Sequence, residues 1–204
     1  MKSLKNNAIV GRLIPTIHSV KLNDEVSNII VDFSELMILE VRYEQMKHSL
    51  SDPNVLDKFP NRELPMDIVF SRMGEFVLNL DSQKDIDEYM KHLSSQLPED
   101  DKERFIKQQQ KVENAFLAGE GFVKEMNTYI QMDPYTDHSV YLRDHEWRFD
   151  ILDAIESGRC PTIAIGAAHV VREPLFDGDM SIKDWLVEKG FEIKEVSIHD
   201  YLER

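Results

Sequence analysis

Positive charge is scarce in this chain. The 24 Lys and Arg residues are outnumbered by 38 Asp and Glu, giving a formal charge of −14 at neutral pH. Nucleic acid and anionic membranes both reward basic patches, so neither is expected as a main partner. Cysteine is nearly absent. The single thiol, Cys160, excludes an internal disulfide framework and any zinc site built on cysteines. A reducing compartment is the simplest setting for it. No apolar run approaches the roughly 18 residues a spanning helix needs. The stretch Ala8–Ile14 is interrupted by Gly11 and Arg12 and is too short for a secretory signal. A cytoplasmic protein is the expectation, with export by a specialised system left open. P-loop, GxGxxG, GxSxG and HExxH patterns are all missing.

What is present is enough for one globular domain over residues 1–204: the length and the 42% of hydrophobic residues suffice to bury a core. Ala8–Ile14 reads as a buried strand stopped by Pro15. Asn23 or Asp24 then caps a helix with Val26, Ile29, Ile30 and Phe33 on one face, and Leu36–Val41 is a near-continuous apolar run. Strand, helix and strand in that order make a βαβ unit and imply a parallel sheet.

The middle of the chain, about 49–142, reads as a helical insertion or cap. Prolines 53, 60 and 65 punctuate its start. Ser82 and Asp85 open one helical pattern, and Glu99 to Leu117 forms a second, with Phe105, Val112 and Phe116 on one side. Gly119-Glu120-Gly121 interrupts it. The α/β pattern then returns. Asp144–Glu156 reads as a helix with Trp147, Ile151, Leu152 and Ile155 inward and Gly158 as its stop. Thr162–Ile165 reads as a buried strand, Ser181-x-x-Asp184 as a helix cap, and Phe191–Val196 as a last strand. The expected fold is α/β, with a mostly parallel central sheet flanked by helices and a helical insertion in mid-chain.

Chemistry is sought at the carboxyl ends of the strands, where open parallel sheets bind ligands. His18 follows the first strand, Glu40 sits inside the second near its carboxyl end, and His169 follows Thr162–Ile165 in Gly166-Ala167-Ala168-His169. Each has an ordinary account as well. A histidine after a strand often serves a turn or a cap. A carboxylate in an apolar strand is costly to bury unless it is paired, for instance with Arg42, Arg143 or Arg148. Taken together, two imidazoles and a carboxylate suit a divalent ion such as Zn²⁺, Mn²⁺, Co²⁺ or Fe²⁺. Gly166 would let the chain turn sharply and a ligand approach closely. Asp177-Gly178-Asp179 reads as a turn and Cys160 as a small packing residue.

Four blocks of the sequence resemble the TraB/GumN family, which includes the TIKI metalloproteases. They are Leu13-Ile14-Pro15-Thr16-Ile17-His18 with Met37-Ile38-Leu39-Glu40; Phe116-Leu117-Ala118-Gly119-Glu120; Leu142-Arg143-Asp144-His145-Glu146-Trp147; and Ile163-Ala164-Ile165-Gly166-Ala167-Ala168-His169-Val170 with Lys189-Gly190-Phe191. Two departures stand out. Pro15 occupies a position where the family has glycine, and Asp144 one where it has asparagine. The resemblance implies an α/β fold related to the erythromycin-esterase and ChaN-like group. It also implies a divalent-metal hydrolase (Mn, Co or Zn) acting on peptide or amide bonds. Carried over by position, His18, His169 and Glu40 would be metal ligands. Glu40, Arg143, Glu120 and Asp144 would form the catalytic set. Glu40 would be a ligand or the general base, and Arg143 its partner or an oxyanion stabiliser.

Two functional classes follow. The first is a metal-dependent hydrolase with a peptide or small-molecule substrate, homo-oligomerisation being open. The second is an inactive relative that binds a small ligand or haem-like cofactor, or serves as an interaction or effector protein through its helical middle.

Overall fold

The computed structural model describes residues 1–3, 9–17, 21–22, 36–39, 64–65, 76–80, 99–132, 134–174 and 176–195. In chain order the elements are β1 (Lys2–Ser3), β2 (Arg12–Thr16), β3 (Lys21–Leu22), β4 (Leu36–Leu39), β5 (Leu64–Pro65), β6 (Phe76–Asn79), α1 (Glu99–Ala118), α2 (Phe122–Gln131), α3 (Pro134–Glu156), β7 (Thr162–Gly166), α4 (Ala167–Val171), α5 (Ile182–Glu188) and β8 (Phe191–Glu192). The helices expected near residues 23–33 and 82–97 lie outside the described residues. The protein is a mixed α/β molecule.

Four strands form one sheet in the order β2-β7-β4-β6, and every pairing in it is parallel. β7 is its centre of gravity. Thr162, Ile163 and Ile165 are β-branched and suit a pleated strand. All five of its residues are buried, as expected for a strand covered on both faces. It bonds to β2 on one side and β4 on the other. The strand expected over Ala8–Ile14 instead begins at Arg12 and runs through Pro15 to Thr16. Pro15 does not stop it because β2 is an edge among the described strands, where a missing N–H breaks no ladder bond on the open side.

The middle of the chain is not purely helical. β5 and β6 fall within it, and β6 supplies the outer parallel strand beside β4. The last strand is also shorter than expected. β8 covers two residues and pairs with β1 in a separate antiparallel ribbon.

α3 reaches back to Pro134, ten residues before its expected start at Asp144. Proline is well placed as a first helical residue because its absent N–H would have no intrahelical partner there. The far end behaves as expected: α3 stops at Glu156 and Gly158 takes a left-handed φ of 77°. Trp147, Ile151, Ala154 and Ile155 form its buried stripe, packed with Ile163 and Ile165 of β7 and with Ile182, Trp185 and Leu186 of α5. On α5, Ser181 is the cap: its hydroxyl accepts from the Asp184 N–H at 3.1 Å. α1 and α2 form a hairpin around two left-handed glycines, Gly119 (φ 72°) and Gly121 (φ 70°). Edge-to-face contacts of Phe105 with Tyr129 and of Phe116 with Phe122 tie the pair together. None of the described helices is long and apolar enough to cross a membrane.

Candidate functional site

The site begins where β7 becomes α4 without an intervening loop. Gly166 is the cap residue, with φ −50° and ψ 135°. That is ordinary extended backbone, so the change of direction does not use glycine's conformational freedom. His169 sits in the short helix just beyond the carboxyl end of the strand and is 1% exposed. It is neither a turn residue nor a cap.

The Nδ1–H of His169 donates to Oδ1 of Asp144 at 2.7 Å. Asp144 is fully buried. Its other oxygen, Oδ2, accepts from Arg172 Nε at 2.8 Å. The fork of Arg172 then spans Asp179: Nη2 donates to Oδ1 at 2.8 Å and Nη1 donates to Oδ2. Nη2 also reaches the Met180 carbonyl at 3.0 Å, which Arg148 Nη2 shares at 2.8 Å. The result is a buried chain of groups, His169–Asp144–Arg172–Asp179.

Helical spacing explains why these groups meet. Asp144 and Trp147 are three apart on α3, and His169 and Arg172 are three apart across the end of α4. Residues so spaced share a face. The two faces are apposed, with carboxylate against imidazole and guanidinium, and the Trp147 ring 4.3 Å from the imidazole centroid at 40°. From the other side Asn127 of α2 pins the end of α4. Its amide donates to the Val171 carbonyl at 3.2 Å and its oxygen accepts from the Glu173 N–H at 2.7 Å.

The charges decide protonation. Burial by itself pushes the Arg172 guanidinium down. The hydrogen bonds and charges of Asp179 and Asp144 outweigh that, and its pKa rises above the ordinary arginine value. Arg172 is therefore a permanent buried cation between two carboxylates. A carboxylate can only accept, so the ring proton of neutral His169 lies on Nδ1 and the lone pair on Nε2.

Of the residues expected in the site, Asp144 and His169 are brought into direct contact. Arg143 is half-buried, its guanidinium carbon 5.3 Å from the Trp147 ring centroid. Glu120 is exposed in the glycine turn between α1 and α2, on a different element from the pair. His18 and Glu40 lie outside the described residues. The strands that precede them in sequence flank β7 on both sides, through Thr16 opposite Gly166 and Leu39 opposite Ala164.

The sequence reading missed Arg172 entirely and took Asp179 for a turn residue. The one available signal was the His169-x-x-Arg172 spacing at the end of an apolar run. Trp147, read only as core, lines the imidazole. Its Nε1–H is buried and unpartnered among the described residues.

A metal ligand histidine usually donates its second ring N–H to a carboxylate or carbonyl, which fixes the ring and raises its basicity. His169 on Asp144 has that form, so the pair fits one nitrogen ligand with its orienting carboxylate. Both oxygens of Asp144 are already engaged, which makes it the orienting group and not a ligand. Among the described residues no cluster of three or more His, Cys, Asp or Glu side chains is arranged to hold a metal ion. No protein-family model, curated protein or solved structure matches the chain.

Proposed function

We propose that this chain is a divalent-metal-dependent hydrolase of peptide or amide bonds, built on the TraB/GumN plan that its four sequence blocks resemble. The observation that supports it best is the buried Asp144–His169 pair at the carboxyl end of the interior parallel strand. On this reading His169 offers Nε2 to the ion and Asp144 holds the ring. His18 and Glu40 complete the donor set, with Glu40 a ligand or the general base. Arg143 offers a cation to the developing oxyanion. Glu120, at the exposed glycine turn, is the remaining member of the catalytic set on this reading. Mn²⁺, Co²⁺ or Zn²⁺, when bound, would polarise the scissile carbonyl and acidify water. The same reading makes the sheet a central one flanked by helices and α1–α2 part of a cap beside it. It also gives the protein a cytoplasmic setting and a peptide or small-molecule substrate.

The test is equilibrium dialysis of the full chain against Mn²⁺, Co²⁺ or Zn²⁺, followed by elemental analysis and a peptide-hydrolysis assay. Wild type is expected to take up metal and cleave peptide. His169→Ala, checked for native circular dichroism, is expected to lose both. Absence of uptake in wild type, or equal uptake in the variant, removes the metal and the hydrolase with it.

A further inference from the structure

We infer that Arg172 is the positioning residue of this site. By bridging Asp144 to Asp179, it fixes which nitrogen His169 presents, and so makes the 176–181 segment part of the site's machinery. Three observations carry the inference. Arg172 is 2% exposed, although arginine is almost never buried without partners. Its bonds divide between two carboxylates that belong to separate parts of the chain, α3 and the turn after α4. The turn is itself held at Met180, whose carbonyl accepts from both Arg172 and Arg148.

Asp144 is the link between Arg172 and the imidazole. Its Oδ1 can meet the imidazole squarely only if the carboxylate plane is fixed, and the Nε–H of Arg172 on Oδ2 fixes it. The arrangement requires aspartate, not asparagine, at 144. An asparagine oxygen could still accept from Nδ1–H, but its amide would then turn an N–H toward the guanidinium, donor against donor. Aspartate at 144 and arginine at 172 are a matched pair. Lysine would not replace the arginine. It is a point charge with no fork, and could not engage Asp144, Asp179 and the Met180 carbonyl together in this planar arrangement.

This inference rests on hydrogen bonds alone and is independent of metal chemistry at Nε2. Its test is a long-range ¹H–¹⁵N spectrum of the imidazole in full-length protein treated with chelator, at a pH where the ring is neutral. Wild type is expected to show the Nδ1–H form alone. Arg172→Lys is expected to keep a native amide spectrum yet show a mixture, with the Nε2–H form that free histidine prefers now populated. Arg172→Met is expected to move further the same way. An Nε2–H ring in wild type overturns the inference, and so does a wild-type ring spectrum in folded Arg172→Lys. Metal uptake is measured separately by dialysis, so a failed ring spectrum and a failed uptake are distinguishable.

Discussion

Arg172 is a buried cation bonded to two buried carboxylates. Removing it takes the guanidinium away from two buried carboxylates, Asp144 and Asp179. Breaking a buried ion pair from one side costs about 3–5 kcal/mol, because the remaining charge is left desolvated. Arg172→Met is therefore expected to lower stability by about that amount in urea unfolding. Asp144→Asn is milder, because Arg172 keeps Asp179 and only a donor-against-donor contact is created. An unsatisfied buried donor costs about 1–3 kcal/mol. The predicted order, Arg172→Met worse than Asp144→Asn, is read from the two urea midpoints at equal m-values. The reverse order would mean that the Asp144–His169 contact, not the Arg172 bridge, dominates the site. Trp147 belongs to the same residue-scale account. It is 1% exposed and packs on the imidazole, so its indole confines the ring that Asp144 orients.

Among the elements, α5 is short and depends on its cap. It runs only from Ile182 to Glu188, and buries Ile182, Trp185 and Leu186. Ser181 accepts from the Asp184 N–H at 3.1 Å and donates to the Asp184 carboxylate at 2.9 Å. Loss of a serine cap costs about 1 kcal/mol. Ser181→Ala is expected to lower the urea midpoint accordingly, while leaving the His169 ring spectrum unchanged because Met180, not Ser181, meets Arg172. Elements of this kind were legible in the sequence. The Ser181-x-x-Asp184 cap, the Trp147–Ile151–Ile155 stripe, the Gly158 stop and the glycine break at 119–121 are all local signals, and each agrees with the structure. What escaped the sequence depends on tertiary neighbours. Pro15 reads as a stop unless β2 is known to be an edge. Phe76–Asn79 is too short an apolar run to stand out, and becomes a strand by pairing with β4. In the site, Asp144 and His169 were visible through the resemblance. Arg172 and Asp179 were not, because a buried arginine between two acids looks, in sequence, like a surface arginine near a turn.

For the whole molecule, strand order sets what must unfold together. β7, late in the chain, lies between β2 and β4 from the beginning of the chain, so the sheet closes only when distant segments meet. All its residues are buried, Thr162–Ala164 pair with strands on both flanks, and its neighbours α3 and α5 bury their apolar stripes on the same core. No local opening can free Ile163 or Ile165 without dismantling that core. α1 is differently placed. It packs on α2, buries Val112 and Gln108, and leaves Ile106 and Leu117 more than half exposed. Amides that open only with global unfolding exchange at the full stability, whereas those with few buried contacts exchange by smaller openings. Native-state hydrogen exchange is therefore expected to give β7 amides the highest opening free energy, equal to that from urea unfolding. α1 amides are expected to open at a lower free energy with a shallower urea dependence. If α1 and β7 exchange with one common free energy and one urea slope, α1 is locked into the sheet's cooperative unit, and the looser hold on α1 drawn from its exposed apolar residues is wrong.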